Sequence, residues 1–126
     1  MPFNCAIHFD SGYASVEFSG SVTGDDIAQA ARTLFLDPNW VTGFDLLIDA
    51  RTVAPLFLVP DDVEQIESTL GGLGPTIGEG RTAIVADDQE DVRFSALLLK
   101  ARTNTNRKVE VFVGLREALE WLTGQS

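Results

Sequence analysis

Apolar and polar positions alternate from the third residue onward. Phe3, Cys5, Ile7 and Phe9 share one parity, and Asn4, Ala6, His8 and Asp10 share the other. A period of two belongs to a strand with one buried face, so residues 3–10 predict a β-strand. Asp10-Ser11-Gly12 supplies turn chemistry, and Ala14, Val16 and Phe18 resume the alternation over residues 13–19. The two segments together predict an antiparallel hairpin. The period then changes. Thr23 stands three positions before Asp26, the spacing of a capping box, and Ile27, Ala31, Leu34 and Phe35 follow as a helical stripe. Asp37-Pro38 ends it, because the residue before a proline avoids the helical region.

Strands and helices alternate over the remainder. Leu46-Leu47-Ile48, within residues 44–49, is a short continuous apolar run, the mark of a central strand covered on both faces. Pro60 with Asp61 and Asp62 opens a second helix, whose stripe is Val63, Ile66, Leu70 and Leu73 and whose expected end is Gly71, Gly72 and Gly74. Residues 82–86 predict another buried strand, and Asp88-Gln89-Glu90-Asp91 a third helix with Lys100 and Arg102 towards its end. Residues 109–113 predict the last strand, and Leu115, Ala118, Leu119 and Leu122 the stripe of a closing helix. The order β-β-α-β-α-β-α-β-α implies right-handed crossovers and a mixed five-stranded α/β sheet that begins with a hairpin. With no linker, repeat or low-complexity stretch, residues 1–126 are expected to form a single domain.

Composition narrows the function classes. The 126 residues carry 19 acids against nine bases, a net charge of −10, with 44% apolar side chains. This is globular composition, and its sign disfavours non-specific binding to nucleic acid or to anionic lipid. The N-terminus has no basic, apolar leader, and no run approaches the roughly 18–20 apolar residues of a membrane-spanning helix. The densest run, residues 53–59, is broken by Pro55. A cytoplasmic location without a membrane span is the expectation. Cys5 is the only cysteine and His8 the only histidine, so no intrachain disulfide is possible. A zinc site of nitrogen and sulfur ligands is disfavoured, and no cofactor is expected.

Four constellations bear on chemistry. Cys5 and His8 suggest a nucleophile and base, but three positions apart on a strand they point to opposite faces. Cys5 then reads as a small buried apolar residue and His8 as a residue of the open sheet face. The glycine-rich stretch 71–80 follows a helix and precedes a strand, the reverse of a phosphate-binding loop, and contains no Gly-Lys-Ser/Thr. Asp49, expected to end the third strand, resembles a receiver's phosphoacceptor in position. The first strand enters a hairpin, however, and Gly114-Leu115-Arg116 follows the last strand, so a pairing of Asp49 with Arg51 or Arg81, or with backbone amides, is the simpler reading. The pairs Asp25/Asp26, Asp61/Asp62 and Asp87/Asp88 stand at predicted helix starts, where exposed N–H groups and the macrodipole account for them.

The connection Val53-Ala54-Pro55-Leu56-Phe57-Leu58-Val59 is apolar where loop residues are ordinarily polar. Two readings stand: a long connection packed on the core, or a partner- or ligand-binding surface formed by Val53, Leu56, Phe57 and Leu58. Of the functional versions, an interface between protomers outranks a pocket because oligomers are common.

Four stretches together resemble a known family: Val22-Thr23-Gly24-Asp25-Asp26, Asp37-Pro38-Asn39-Trp40, Phe44-Asp45-Leu46-Leu47-Ile48-Asp49-Ala50-Arg51 and Glu117-Ala118-Leu119-Glu120-Trp121-Leu122. With the element order, they are similar to the STAS domain of sulfate transporters and anti-sigma-factor antagonists. The closer likeness is to the SpoIIAA-like (STAS/SEC14-like) family of uncharacterised bacterial proteins. The resemblance spans nearly the whole chain and implies a STAS-like fold. Anti-sigma-factor antagonists carry a phosphorylatable serine at the start of the helix after the third strand. The matching segment here, Val59-Pro60-Asp61-Asp62, has no serine or threonine, so the resemblance does not carry a kinase-controlled switch across. Asp61 or Asp62 imitating a phosphoserine is one further reading. The SEC14 side of the likeness implies, more weakly, an apolar ligand.

Charge is uneven along the chain. Residues 1–91 hold sixteen acids and three bases (net −13), whereas residues 92–126 hold three acids and six bases (net +3). The basic part, including Arg102, Arg107 and Lys108, is expected to face the acidic part of a second copy. The sequence thus points to a non-enzymatic interaction or regulatory module, a homodimer that engages a protein partner. The alternative is a protein that binds a small apolar or lipid-like molecule.

Overall fold

The computed structural model describes residues 3–53, 60–86 and 108–124. β1 (Phe3–His8) and β2 (Tyr13–Gly20) pair antiparallel without interruption, from Phe3↔Phe18 to His8↔Tyr13. The predicted first strand is two residues too long. Phe9–Ser11 wind into a single 3₁₀ turn that Gly12 closes at φ 73°, its N–H donating to the His8 and Phe9 carbonyls. Phe9, expected on the buried face, is therefore turned away from it and is 63% exposed.

α1 (Gly24–Phe35) begins where the capping box placed it. The Asp26 N–H donates to Thr23 Oγ1 at 3.1 Å, and the Thr23 N–H donates to Asp26 Oδ2 at 2.9 Å. β3 (Asp45–Val53) is longer than its apolar run suggests. Its register against β2 slips between Glu17↔Asp49 and Ser19↔Thr52, so two residues of β2 span three of β3. That bulge resets the alternation, and Ala50 and Val53 both point into the core although their spacing is odd.

α2 (Pro60–Ile77) departs further from expectation. It runs through Gly71, Gly72, Gly74 and even Pro75, and ends only at Gly78, which takes φ 75°. Burial of Ile77, with Leu70 and Leu73 packed beside it, holds these residues in the helix against their low propensity. β4 (Arg81–Val85), β5 (Lys108–Phe112) and α3 (Leu115–Thr123) complete the described elements. The predicted third helix, residues 88–102, lies outside the described residues, as do Asp87 and Arg107.

The strands lie in the order β1-β2-β3-β4-β5, with β2 to β5 mutually parallel. The mixed five-stranded α/β sheet is as the sequence predicts. Leu46 and Leu47, adjacent in β3, show why that strand is apolar without interruption. Leu46 faces Leu34, Phe35 and Ile77 of α1 and α2, while Leu47 faces Ala118 and Leu122 of α3. Both are 6% exposed, as a strand covered on both faces requires.

Candidate functional site

Because β2 to β5 run the same way, their carboxyl ends share one edge of the sheet, and α1 and α2 both start there. The two helix starts touch. A Cβ on Gly24 would lie 2.6 Å from Asp62 Oδ1 and 2.7 Å from Asp62 Cβ, so only glycine allows this approach. Asp25 ties the helices together by accepting from Gln29 Nε2 (3.0 Å) within α1 and from Gln65 Nε2 (3.2 Å) of α2. Asp26 caps the start of α1 as the sequence predicts, whereas Asp25 accepts from glutamine side chains instead of from backbone N–H groups. Asp61 and Asp62 stand in the first turn of α2, where the family resemblance looks for a phosphoacceptor.

Of the residues singled out in the apolar connection, the structure places one. Val53 is 3% exposed in the core beside Phe3, Val16, Phe18, Val22, Ala30, Ala50 and Ala86. Leu56, Phe57 and Leu58 lie outside the described residues.

Asp49 does not end its strand but sits in mid-β3, on the face away from α1 and α2. It accepts from Arg51 Nε (2.9 Å), Arg51 Nη2 (2.8 Å) and the Arg51 backbone N–H (3.1 Å). Burial pushes the Asp49 carboxyl up, but the hydrogen bonds and charge of Arg51 outweigh it and hold the group below its ordinary range. Of the partners the sequence leaves open, Arg51, Arg81 or backbone amides, the structure pairs Asp49 with Arg51 through both its side chain and its backbone N–H.

The same face extends over β1 and β2 as Asn4, Ala6, His8, Tyr13, Ser15 and Glu17, whereas α3 packs across β3, β4 and β5. His8 is exposed and stacks on Tyr13, with ring centroids 4.6 Å apart, and its Nε2 shares a 3.1 Å hydrogen bond with Ser15 Oγ. Cys5 points the other way. Its Sγ donates to the Ala30 carbonyl at 3.9 Å, and burial, aided by the charge of Asp37, pushes the thiol up from its ordinary range. Cys5 and His8 are therefore separated by the sheet, as the parity argument requires. The His8–Ser15 pair went unnoticed in the sequence. The hairpin register is the clue to it, since His8↔Tyr13 pairing puts Ser15 diagonally across from His8.

At the opposite edge, where the parallel strands start, aromatic rings run from surface to core. Phe9 and Phe44 are 6.0 Å apart, Phe44 and Trp40 5.7 Å, and Trp40 and Phe35 4.8 Å. Trp40 Nε1 donates to the Thr76 carbonyl at 2.9 Å, anchoring the loop before β3 to the end of α2. Phe9 (63%), Leu36 (61%) and Val41 (42%) remain exposed at this edge. Among the described residues no cluster of three His, Cys, Asp or Glu side chains is placed to hold a metal ion, and no helix is long and apolar enough to cross a membrane.

The arrangement defines a SpoIIAA-like fold: an initial hairpin, a sheet ordered as in the chain, and helices on both faces. A solved structure with this fold is similar over 95% of this chain and 91% of its own, at a TM-score of 0.63 and 20% identity. It is an uncharacterized protein of the DUF3478 family from Shewanella loihica PV-4. No family model and no curated protein matches the chain.

Proposed function

We propose that the chain is a cytosolic, non-enzymatic interaction module that acts as a homodimer and engages a protein partner. The SpoIIAA-like fold supports this reading, and the observation that carries it is the exposed apolar group Phe9, Leu36 and Val41 at one edge of the sheet. Side chains of this size left in water favour a surface that is covered in the working assembly. Light scattering across the micromolar range is the test. A dimer in that range supports the reading, and a strict monomer at every concentration refutes it.

A second reading rests on Val53. Val53, the first residue of the apolar 53–59 run, is buried in the core, and Leu56, Phe57 and Leu58 are proposed to hold a small apolar or lipid-like molecule. Native mass spectrometry of protein purified from cells, showing an added mass that Phe57→Asp abolishes, supports it. An unmodified mass throughout removes it.

A further inference from the structure

The two edges of the sheet differ in how they are guarded. β5, one edge among the described residues, carries Lys108 and Glu110 among its five residues. Charges of this kind are how natural sheets discourage a further strand from adding. β1, the other edge, has no such device. Phe3–His8 contains no acid, no lysine or arginine and no proline, and its pairing with β2 has no bulge. Among the described residues it has a strand neighbour on one side only, so alternate N–H and C=O groups along it face away from β2. Of its three core-facing side chains, Phe3 is buried but the two nearer the middle and end of the strand are incompletely covered. Cys5 and Ile7 are only partly buried, whereas Val16 and Ala14, directly opposite them on β2, are 4% and 0% exposed.

We propose that β1 pairs antiparallel with β1 of a second copy about a two-fold axis at Ala6, joining two five-stranded sheets into one. This rests on the homodimeric reading above and names the surface that performs it. Opposed residues of an antiparallel pair lie on the same face, so a two-fold axis normal to the sheet falls at the level of a residue. At Ala6 the resulting pairs match in character. Cys5 meets the partner's Ile7 on the core face, Asn4 meets the partner's His8 on the open face, and the small Ala6 meets its own copy on the axis. Each apolar side chain left half-covered by β2 thereby gains an apolar neighbour. Electrostatics selects the same surface. Two molecules of net charge −10 repel at most approaches, and an uncharged strand brings no like charges into direct opposition.

Disulfide trapping and light scattering on the full chain test this together. In the double variant Cys5→Ser/Ala6→Cys, the paired Cα atoms on the axis would lie about 4.5–5.5 Å apart, within disulfide reach, and mild oxidation is expected to give a covalent dimer. In Cys5→Ser/Asn4→Cys the two thiols would be offset by four residues, about 14 Å along the strands, and no covalent dimer is expected. Ala6→Lys places two ammonium groups on the axis and is expected to raise the dimer dissociation constant at least ten-fold while leaving the far-ultraviolet circular dichroism unchanged. If Ala6→Lys fails to fold, the trapping pair still decides. A wild-type dimer with no trapping at position 6 overturns the β1 interface and leaves the homodimeric reading standing. A wild-type monomer overturns both.

Discussion

Single residues in this chain differ in value by where their backbone and neighbours hold them. Gly12 and Gly78 both adopt left-handed conformations, at φ 73° and 75°. Nothing lies within 4 Å of a Cβ built on Gly12, whereas one on Gly78 would meet Thr42 Cγ2 at 2.6 Å and the Gly43 backbone nitrogen at 2.7 Å. Gly12→Ala is therefore expected to cost only the conformational penalty, about 1–2 kcal/mol. Gly78→Ala adds an overpacking cost of about 1–3 kcal/mol to the same penalty, because the backbone it meets cannot swing aside. Urea denaturation of the two variants compares them, and equal losses would refute the account. Asp49 supplies a pH-dependent case. Its carboxyl is held below the ordinary value in the folded chain, so its contribution to stability is fully present above about pH 4 and is lost as pH falls through the depressed folded value. Asp49→Asn should therefore show a shallower loss of stability than the wild type between about pH 4 and pH 2. Parallel acid titrations of the two proteins, followed by circular dichroism, check it.

The elements show how far local pattern reaches. α3 has nine residues, too few to persist alone, and is held to the sheet by Ala118 and Leu122 packed on Leu47, Ala83 and Val85. Its last turn is fastened by Arg81, whose Nη1 donates to the Trp121 carbonyl at 2.6 Å and whose guanidinium lies 5.4 Å from the centre of the Trp121 ring. Arg81→Ala removes both contacts and leaves the β4 backbone bond to Asp45 Oδ1 in place. The expected result is a loss of about 1–2 kcal/mol, with faster amide exchange confined to the end of α3. Exchange that quickens throughout β4 would contradict it. The start of α1 was legible because a capping box is complete within four consecutive residues. The end of α2 was not, because burial of Ile77 decides it against three glycines and a proline that argue locally for a stop. The candidate sites divide in the same way. The Asp49–Arg51 pair lies within one strand and is one of the few pairings the sequence leaves open, whereas the His8–Ser15 bond and the exposure of Phe9 depend on hairpin register and on a 3₁₀ turn that alternation does not reveal.

For the molecule as a whole, salt dependence separates two ways in which acidic protomers could associate. If the basic residues of 92–126 met the acidic remainder of a second copy, the attraction would be Coulombic, and raising salt would weaken the dimer. If β1 pairs with β1, the contact itself is uncharged, and the main long-range electrostatic contribution is repulsion between two chains that each carry −10. Screening then removes an opposing force. At 50 mM salt the Debye length is about 14 Å, and at 500 mM about 4 Å, so much of that repulsion is felt at the lower concentration and little at the higher. The β1 arrangement therefore predicts that the dimer dissociation constant falls by about three- to ten-fold over this range, the direction opposite to that of the charge-paired arrangement. Sedimentation equilibrium at the two salt concentrations measures it. A constant that rises with salt would return the interface to the basic segment and away from β1. Apolar burial also strengthens at high concentrations of excluded salts, so chloride rather than sulfate is the appropriate anion for the comparison.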